Sequence, residues 1–503
     1  MKKEVFYSKS VGSEHVKTFG QYFTNDAIAD FMTKWACFGA DHMLDPAVGN
    51  SVFFRYAKKN YPACRLTGFE IDKTILDFFG NPTGADLRIE DYLMSDWDTQ
   101  YDAIVCNPPY HKFQSVTDRK EILQEIWEHT GIKYSGYTNL YSLFLLKSIV
   151  QISEKGRLAY IVPTEFLNSA YGIPIKELLL AQKLIKAIVH FPDNAKLFFH
   201  ATTTCCILLL DHSPKESVSF INIHSMEDLK ELPEHTKHSI RVRYSKLKPE
   251  EKWRSYLNHE EMQTYQNLRN VSDFCYVSRG IATGANDFFC LSASEIEQYK
   301  IPPSCISPCI CRSSDVTKPV FTSSDFAALH AAGKKVCLLD AKEEDADSLK
   351  AYLSYGIQCG IPSKYLPARR NPWFSMEQKP AAPIWISSAC RNTIKVVRNL
   401  AEVKSLTTFH SVFVKDEYVR YTDIIFCCLL TPTAQNILRE NRKELGNGLD
   451  KFQPNDLNSA KMPDITLLSE EDFCAILQIY NEMKKQYRPQ QIHAIDDIIK
   501  KLI

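Results

Sequence analysis

The 503-residue sequence predicts an α/β protein: a doubly wound, mostly parallel sheet followed by a second, irregular α+β domain. Three observations predict it. Over roughly the first 210 residues, short β-rich runs alternate with helix-like segments, the pattern of a parallel sheet covered by helices. A turn of small residues closes the first of these runs, where an open sheet of this kind takes its ligand. After "SVSFINI" (217–223) the rhythm stops, and basic, proline-rich and aromatic segments mix without a regular period. Length suggests about two to four folding units. We place the boundary at residue 235, giving domains 1–235 and 236–503, with "PEHTKHSIRVRYSKLKPEEKW" (233–253) as a linker.

The expected strands are "HMLDP" (42–46), "RLTGFEI" (65–71), "YDAIVC" (101–106), "RLAYIVP" (157–163), "LIKAIVHF" (184–191) and "TTCCILLLD" (203–211). Between them "NDAIADFMTKWA" (25–36) and "NLYSLFLLKSIVQISEK" (139–155) carry apolar residues at three- and four-residue spacing and read as helices.

Composition excludes some classes of function. The N-terminus has no apolar core of a signal peptide, and no stretch approaches the roughly 18 uncharged apolar residues of a membrane helix, so a cytoplasmic protein with no membrane partner is expected. The sixteen cysteines are scattered through strand-like runs and read as reduced, mostly buried thiols. The tightest cluster, Cys305, Cys309 and Cys311 in "CISPCIC", lacks the paired knuckles of a structural zinc site, and no metal site is expected. Sixty basic residues balance sixty acidic ones, so no global charge announces a nucleic-acid partner. Locally, seven basic residues between Lys364 and Asn399 (Lys364, Arg369, Arg370, Lys379, Arg391, Lys395, Arg398) face one acid, Glu377, with Tyr365, Trp373, Phe374 and Trp385 interleaved. That mixture suits a phosphate-contacting, base-stacking surface, and equally a solvated loop with a few packing aromatics.

The strand ends carry the chemistry. The first run ends in Asp45-Pro46-Ala47-Val48-Gly49-Asn50-Ser51, a turn that lets a nucleotide-like ligand approach the backbone. Glu70, 25 positions after Asp45, ends the next run and can accept the hydroxyls of a ribose, or can simply cap its strand at the surface. Asp91 and Tyr92 in "IEDYL" close the third strand position, where a carboxylate can take a hydrogen bond from an adenine amine and a ring can cover the base. The fourth run ends in Asn107-Pro108-Pro109-Tyr110, whose prolines force an irregular exit from the strand. Four strand ends in order thus present groups suited to one adenosyl ligand and one further planar partner.

With these motifs the sequence resembles the S-adenosylmethionine-dependent N6-adenine DNA methyltransferases of Type II restriction-modification systems, in the gamma arrangement with catalytic motifs first and target recognition last. The resemblance runs through "FGQYFTND", "DPAVGNS", "GFEID", "EDYL", "NPPY", "NLYSLFL", "GRLAYIVPTEFLNS" and "FFHATTTCCILLL", and more weakly through "RGIATGANDFF" and "GNGLDKFQPNDL". It implies a Rossmann-like catalytic domain, S-adenosylmethionine as cofactor, duplex DNA as partner, room for a cognate endonuclease as a separate protein, and a monomer. Gln21, Tyr22, Phe23 and Thr24 would hold the methionine moiety, and Pro46, Ala47, Gly49, Glu70, Ile71, Asp91 and Tyr92 the nucleoside. Two departures stand out: Asn25 where many relatives have proline, and Ser51 where the loop commonly has glycine, a position at which a Cβ opposes positive φ.

The resemblance also implies a mechanism. The side-chain oxygen of Asn107 and the carbonyl of Pro108 would each accept a hydrogen of the adenine N6 amine, turning its lone pair toward the methyl sulfonium. Tyr110 would stack on the flipped base, with Phe198 or Phe199 closing the other face. Such stacking, worth about 1–3 kcal/mol, is comparable with the cost of extruding the base. Arg279, Asn286, Arg369, Arg370, Arg391 and Lys395 are the candidates for phosphate or base-edge contact, each also readable as a plain surface residue. Methylation of RNA or of a protein glutamine, and DNA binding without catalysis, are the alternatives.

Overall fold

The computed structural model describes every residue except 1, 82, 111–117, 135–137, 192–203, 224, 231, 233–238, 258–264 and 446–448. The chain divides into two compact units, Met1–Met262 with Glu444–Asn447, and Gln263–Lys443 with Gly448–Ile503.

One nine-stranded sheet organises the first unit: β1 (His42–Asp45), β2 (Arg65–Phe69), β3 (Asp86–Arg88), β4 (Tyr101–Cys106), β5 (Ile152–Pro163), β6 (Ile185–His190), β7 (Cys205–Asp211), β8 (Ser217–Asn222) and β9 (Ser239–Arg243). Their order is β3-β2-β1-β4-β5-β7-β6-β8-β9. The first five run parallel, and β7 lies antiparallel between β5 and β6. From β1 the chain goes outward to β2 and β3, then returns to the other side of β1 as β4. A crevice therefore opens between the carboxyl ends of β1 and β4, the switch point of a doubly wound sheet.

The helices of this unit are α1 (Lys2–Phe19), α2 (Asp26–Ala36), α3 (Val52–Asn60), α4 (Lys73–Phe79), α5 (Arg119–Thr130), α6 (Leu140–Gln151) and α7 (Ile173–Ala181). Alternation along the strands feeds two cores. In β4, Ala103 and Val105 join α2 and α3 on one face, while Ile104 and Cys106 join α5, α6 and α7 on the other. Asn25 explains itself here, because its side chain accepts from the Ala27 N–H at 2.9 Å and caps α2.

Two expectations change. The helix expected over 139–155 stops at Gln151, and Ile152 begins β5, whose register with Tyr101 of β4 takes over the backbone hydrogen bonds. The expected linker instead supplies β9, the edge strand paired with β8, and the fully buried Trp253. Its interleaved arginines lie on the exposed side of an alternating strand, which is why it read as charged linker. The first compact unit accordingly runs to Met262 rather than to residue 235.

The second unit is α+β. Its five-stranded sheet runs Cys275–Arg279, Phe409–Val414, Ile384–Ser387, Val396–Asn399, Val320–Phe321, mostly antiparallel. Helices Thr422–Leu430, Glu470–Lys485 and Pro489–Ile499 share its core. All sixteen cysteines are free thiols, and Cys305, Cys309 and Cys311 are buried. Among the described residues no helix is long and apolar enough to cross a membrane.

Gly68 in β2 is a close-approach glycine. A Cβ built there would meet Val48 Cγ2 at 2.3 Å and Phe54 Cζ at 2.6 Å. Gly68→Ala is expected to lower stability by about 1–3 kcal/mol, read as an earlier urea midpoint with unchanged slope.

Candidate active site

A cavity of about 400 Å³ occupies the switch point. Its walls are the segments following β1 to β4 and the stretch Thr18–Thr24 that joins α1 to α2. Of the expected cofactor residues, Gln21, Tyr22, Phe23, Thr24, Pro46, Ala47, Gly49, Glu70, Ile71, Asp91, Tyr92 and Asn107 all reach it.

Glu70 ties two strand ends together. Its Oε2 accepts from the Gly49 N–H and its Oε1 from the Asp72 N–H, both at 2.9 Å. Each oxygen keeps a further acceptor position, and burial pushes the carboxyl above its ordinary range. Asp91 accepts from the Leu93 N–H at 2.9 Å, and burial raises it too.

Asp45, Tyr92 and Gln21, all nominated, have other duties. Asp45 lies fully buried beneath the loop, off the cavity wall, with Oδ1 on the Ala47 N–H at 3.1 Å and Oδ2 without a partner among the described residues. The Tyr92 ring, expected to cover a base, is instead packed against Phe69 and Phe144, with its hydroxyl on Gln151 at 2.7 Å. An aromatic ring whose hydroxyl finds an internal acceptor is best satisfied in the core. Ile71, 61% exposed, is the apolar side chain left on that stretch of wall.

The N-terminal segment is latched by Asp72, which caps α4. Asp72 Oδ2 accepts from Gln21 Nε2 at 2.6 Å and Tyr7 Oη at 3.2 Å, and pairs with His15 Nε2 at 2.7 Å. Burial pushes this carboxyl up, but the bonds from His15, Gln21 and Thr74 hold it below its ordinary range. Gln21, expected as a cofactor ligand, thus serves the latch.

Asn107 sits where β4 meets this segment. Its Nδ2 donates to Tyr22 O at 2.9 Å and Thr24 Oγ1 at 3.1 Å. A carbonyl acceptor fixes which end of the amide is nitrogen, so Oδ1 is the end left to accept, and it takes the Tyr110 hydroxyl at 2.8 Å. The Tyr110 ring lies 6.1 Å from those of Tyr22 and Tyr141. Pro108 is buried and Pro109 lines the cavity. Phe198 and Phe199 lie outside the described residues. The apolar walls contributed by Phe53, Leu140 and Phe144 escaped sequence reasoning: α3 follows the β1 loop directly, but α6 is separated from β4 by α5.

The comparisons bear on what this geometry serves. M.AccI, a Type II methyltransferase of Acinetobacter calcoaceticus, is 37% identical over 494 residues, 95% of this chain and 91% of that protein. The family described as "Type II methyltransferase M.Eco57I, C-terminal domain" matches residues 250–503, and "Eco57I restriction-modification methylase" matches residues 58–198. The chain belongs to the Type II methyltransferases of restriction-modification systems. M.XamI of Xanthomonas campestris pv. amaranthicola is 22% identical over 459 residues, 89% of this chain and 85% of that one. The Type IIL restriction-modification enzyme MmeI, solved in complex with DNA, shares the fold at a TM-score of 0.60 and 13% identity, over 100% of this chain and 74% of its own.

Membership implies S-adenosylmethionine, and the cavity of this methyltransferase fits the nucleoside half. Glu70 and Asp91 offer acceptors to hydroxyls and an amine, and the loop at Gly49 carries no side chain to block approach. In its second unit Arg279, Asn286, Arg369 and Arg391 are exposed. Arg279 stands 3.9 Å from Glu377, and Arg369 stacks 3.7 Å over Tyr365. Asn286 accepts from Thr283 Oγ1. Arg370 and Lys395 depart from expectation. Arg370 donates to Ala282 O at 2.5 Å over the Phe289 ring, and Lys395 donates to Ser313 O and Val316 O at 2.7 and 2.9 Å. Lys395 thus holds an internal turn, while Arg370 uses Nη2 in this way and keeps Nη1 buried without a partner among the described residues. Of the interleaved aromatics Phe374 and Trp385 are buried, while Tyr365 is exposed.

Two measurements follow. Ser51 adopts φ 60° with a buried hydroxyl that has no partner among the described residues, so Ser51→Gly is expected to raise stability by about 0.5–1 kcal/mol by urea unfolding. Burial pushes Asp45 from 3.8 to about 8, so the folded chain holds a proton that the unfolded chain has released between those values. Stability from this group falls as pH rises through that window, and Asp45→Asn should flatten the unfolding free energy between pH 5 and about 8.

Proposed function

We propose that this chain is a site-specific DNA methyltransferase that transfers a methyl group from S-adenosylmethionine to N6 of an adenine flipped out of duplex DNA. The observation that carries this reading is the Asn107 amide, held by Tyr22 and Thr24 with its oxygen turned to accept. In water the N6 lone pair is delocalised into the ring and attacks poorly. When Asn107 Oδ1 and the Pro108 carbonyl accept hydrogen bonds from the two amine hydrogens, the nitrogen is drawn toward tetrahedral geometry and in-line transfer becomes a matter of positioning. The N6–methyl bond forms as the sulfonium–methyl bond breaks, the thioether S-adenosylhomocysteine is left behind, and N6 gives up its surplus proton to water.

The cofactor supplies an electrophilic methyl group on a sulfonium. Glu70 accepts its ribose hydroxyls, Asp91 its adenine amine, and the segment Gln21–Thr24 flanks its methionine end. The Tyr110 hydroxyl, which rests on Asn107 Oδ1, is the group the incoming amine replaces. Released in this way, the Tyr110 ring stacks on the flipped base. The second domain reads DNA through Arg279, Asn286, Arg369 and Arg391, and the chain acts as the modification component of its restriction-modification system.

Expression in a host lacking adenine methylation, followed by single-molecule sequencing, tests this reading. One short motif should carry N6-methyladenine. Asn107→Ala should lower the methylation rate of the purified protein about 10²–10³-fold even at saturating cofactor. A genome without any methylated motif, from a chain that binds the cofactor, would sink the DNA assignment.

A further inference from the structure

Helix α6 reads LYSLFLLKSIVQ and packs in an apolar core, yet Lys147, Ser148 and Gln151 on it are 0%, 0% and 1% exposed. Their bonds converge on one short turn, residues 92–96, which follows β3. Lys147 Nζ donates to Tyr92 O at 2.6 Å, to Ser95 O at 2.7 Å and to Ser95 Oγ at 3.1 Å. It also lies 4.8 Å and 4.7 Å from the ring centroids of Tyr92 and Trp97. Ser148 Oγ bonds the Tyr92 hydroxyl at 3.0 Å, and Gln151 Nε2 donates to Asp96 O at 2.9 Å.

A fully buried ammonium is expensive unless its protons are satisfied, and a methionine would fill the same volume in a helix at far lower desolvation cost. Here all three protons go to uncharged oxygens of one turn. Asp91 caps that turn through the Leu93 N–H and lines the cofactor cavity immediately before it. The backbone that Lys147 grips is therefore the backbone that aims Asp91.

We propose that Lys147 is a positioning residue for cofactor binding: by holding residues 92–95 it sets where the Asp91 carboxylate meets the adenine amine. This rests on the cofactor assignment above, and adds that recognition of the amine depends on a charge in the opposite core. Around that charge stand Glu90, Asp91 and Asp96 of the turn, the phenols of Tyr92 and Tyr160, and Glu125 and His129 of α5, the last stacked on Trp97. Burial outweighs the acids and pushes Lys147 down from 10.5 to about 8. Above that pH the amine keeps only two protons for three acceptors.

The test is calorimetry on the full chain with two ligands, S-adenosylhomocysteine and its analogue bearing hydrogen in place of the 6-amino group. Wild type should prefer the amine-bearing ligand. Lys147→Met should bind it about ten- to a hundredfold more weakly and lose most of that preference, because a misaimed Asp91 no longer senses the amine. Ser148→Ala, which takes a partner from the Tyr92 and Tyr160 hydroxyls but leaves the Lys147 bonds to the turn's backbone in place, should keep the preference. In wild type the preference should also shrink between pH 7 and pH 9.5, a readout that does not require the variant to fold. The ionisation of the ligands' shared amino-acid group cancels in this ratio. A folded Lys147→Met with unchanged preference, or a wild-type preference flat across that pH range, would overturn the proposal. Wild type that binds neither ligand would instead overturn the cofactor assignment itself.

Discussion

The side-chain nitrogen of Asn107 holds the site together. Its bonds to Tyr22 O and Thr24 Oγ1 join the end of β4 to a segment more than eighty residues earlier, and so close the cavity on the side where the sheet alone would leave it open. The same bonds prevent the amide from turning over, because a carbonyl cannot face a carbonyl without losing a hydrogen bond. Everything N-terminal to it inherits the constraint. The Thr18–Thr24 stretch can line the cavity because Asn107 anchors one end and the Gln21–Asp72 bond anchors the middle.

A single local device recurs around that anchor. Asp45 accepts from the N–H of Ala47, Glu70 from Asp72, Asp72 from Thr74 and Asp91 from Leu93, in each case two residues ahead. The acid shapes the turn that leaves its own strand or enters its own helix. Where it also faces the cavity, as Glu70 and Asp91 do, the carboxylate keeps acceptor positions that the turn does not use. Burial raises Asp45, Glu70 and Asp91, whereas Asp72, with three side-chain donors around it, goes the other way. Acids of similar placement thus differ in how readily each gives up its charge, according to the donors that surround it.

This device explains what was legible in the sequence. Acids at strand ends mark the turns, so the mostly parallel sheet could be read in advance, and twelve of the thirteen positions nominated for the cofactor line the cavity. Side-chain direction was not legible. Nothing in "EDYL" says that Tyr92 points into the core, because that depends on Ser148 and Gln151 some sixty positions later. Lys147 was hidden for the same reason: a lone lysine in an apolar helix looks like a surface residue until its acceptors are seen. In the second unit, a run of basic residues could not reveal that Arg370 and Lys395 each bond an internal carbonyl while Arg369 and Arg391 stay exposed. The edge strand β9 was hidden by its own solvent-facing arginines.

Val48 and Gly68 occupy what is in effect one side-chain volume divided between two positions, one on the cofactor loop and one on the neighbouring strand. A larger residue at 68 would need room from both Val48 on the loop and Phe54 on α3, so the strand can fill that space only if the loop and the helix both give way. The missing side chain at 68 is thus what lets loop, strand and helix close on one another, and the loop's position depends on a strand remote from it in the chain.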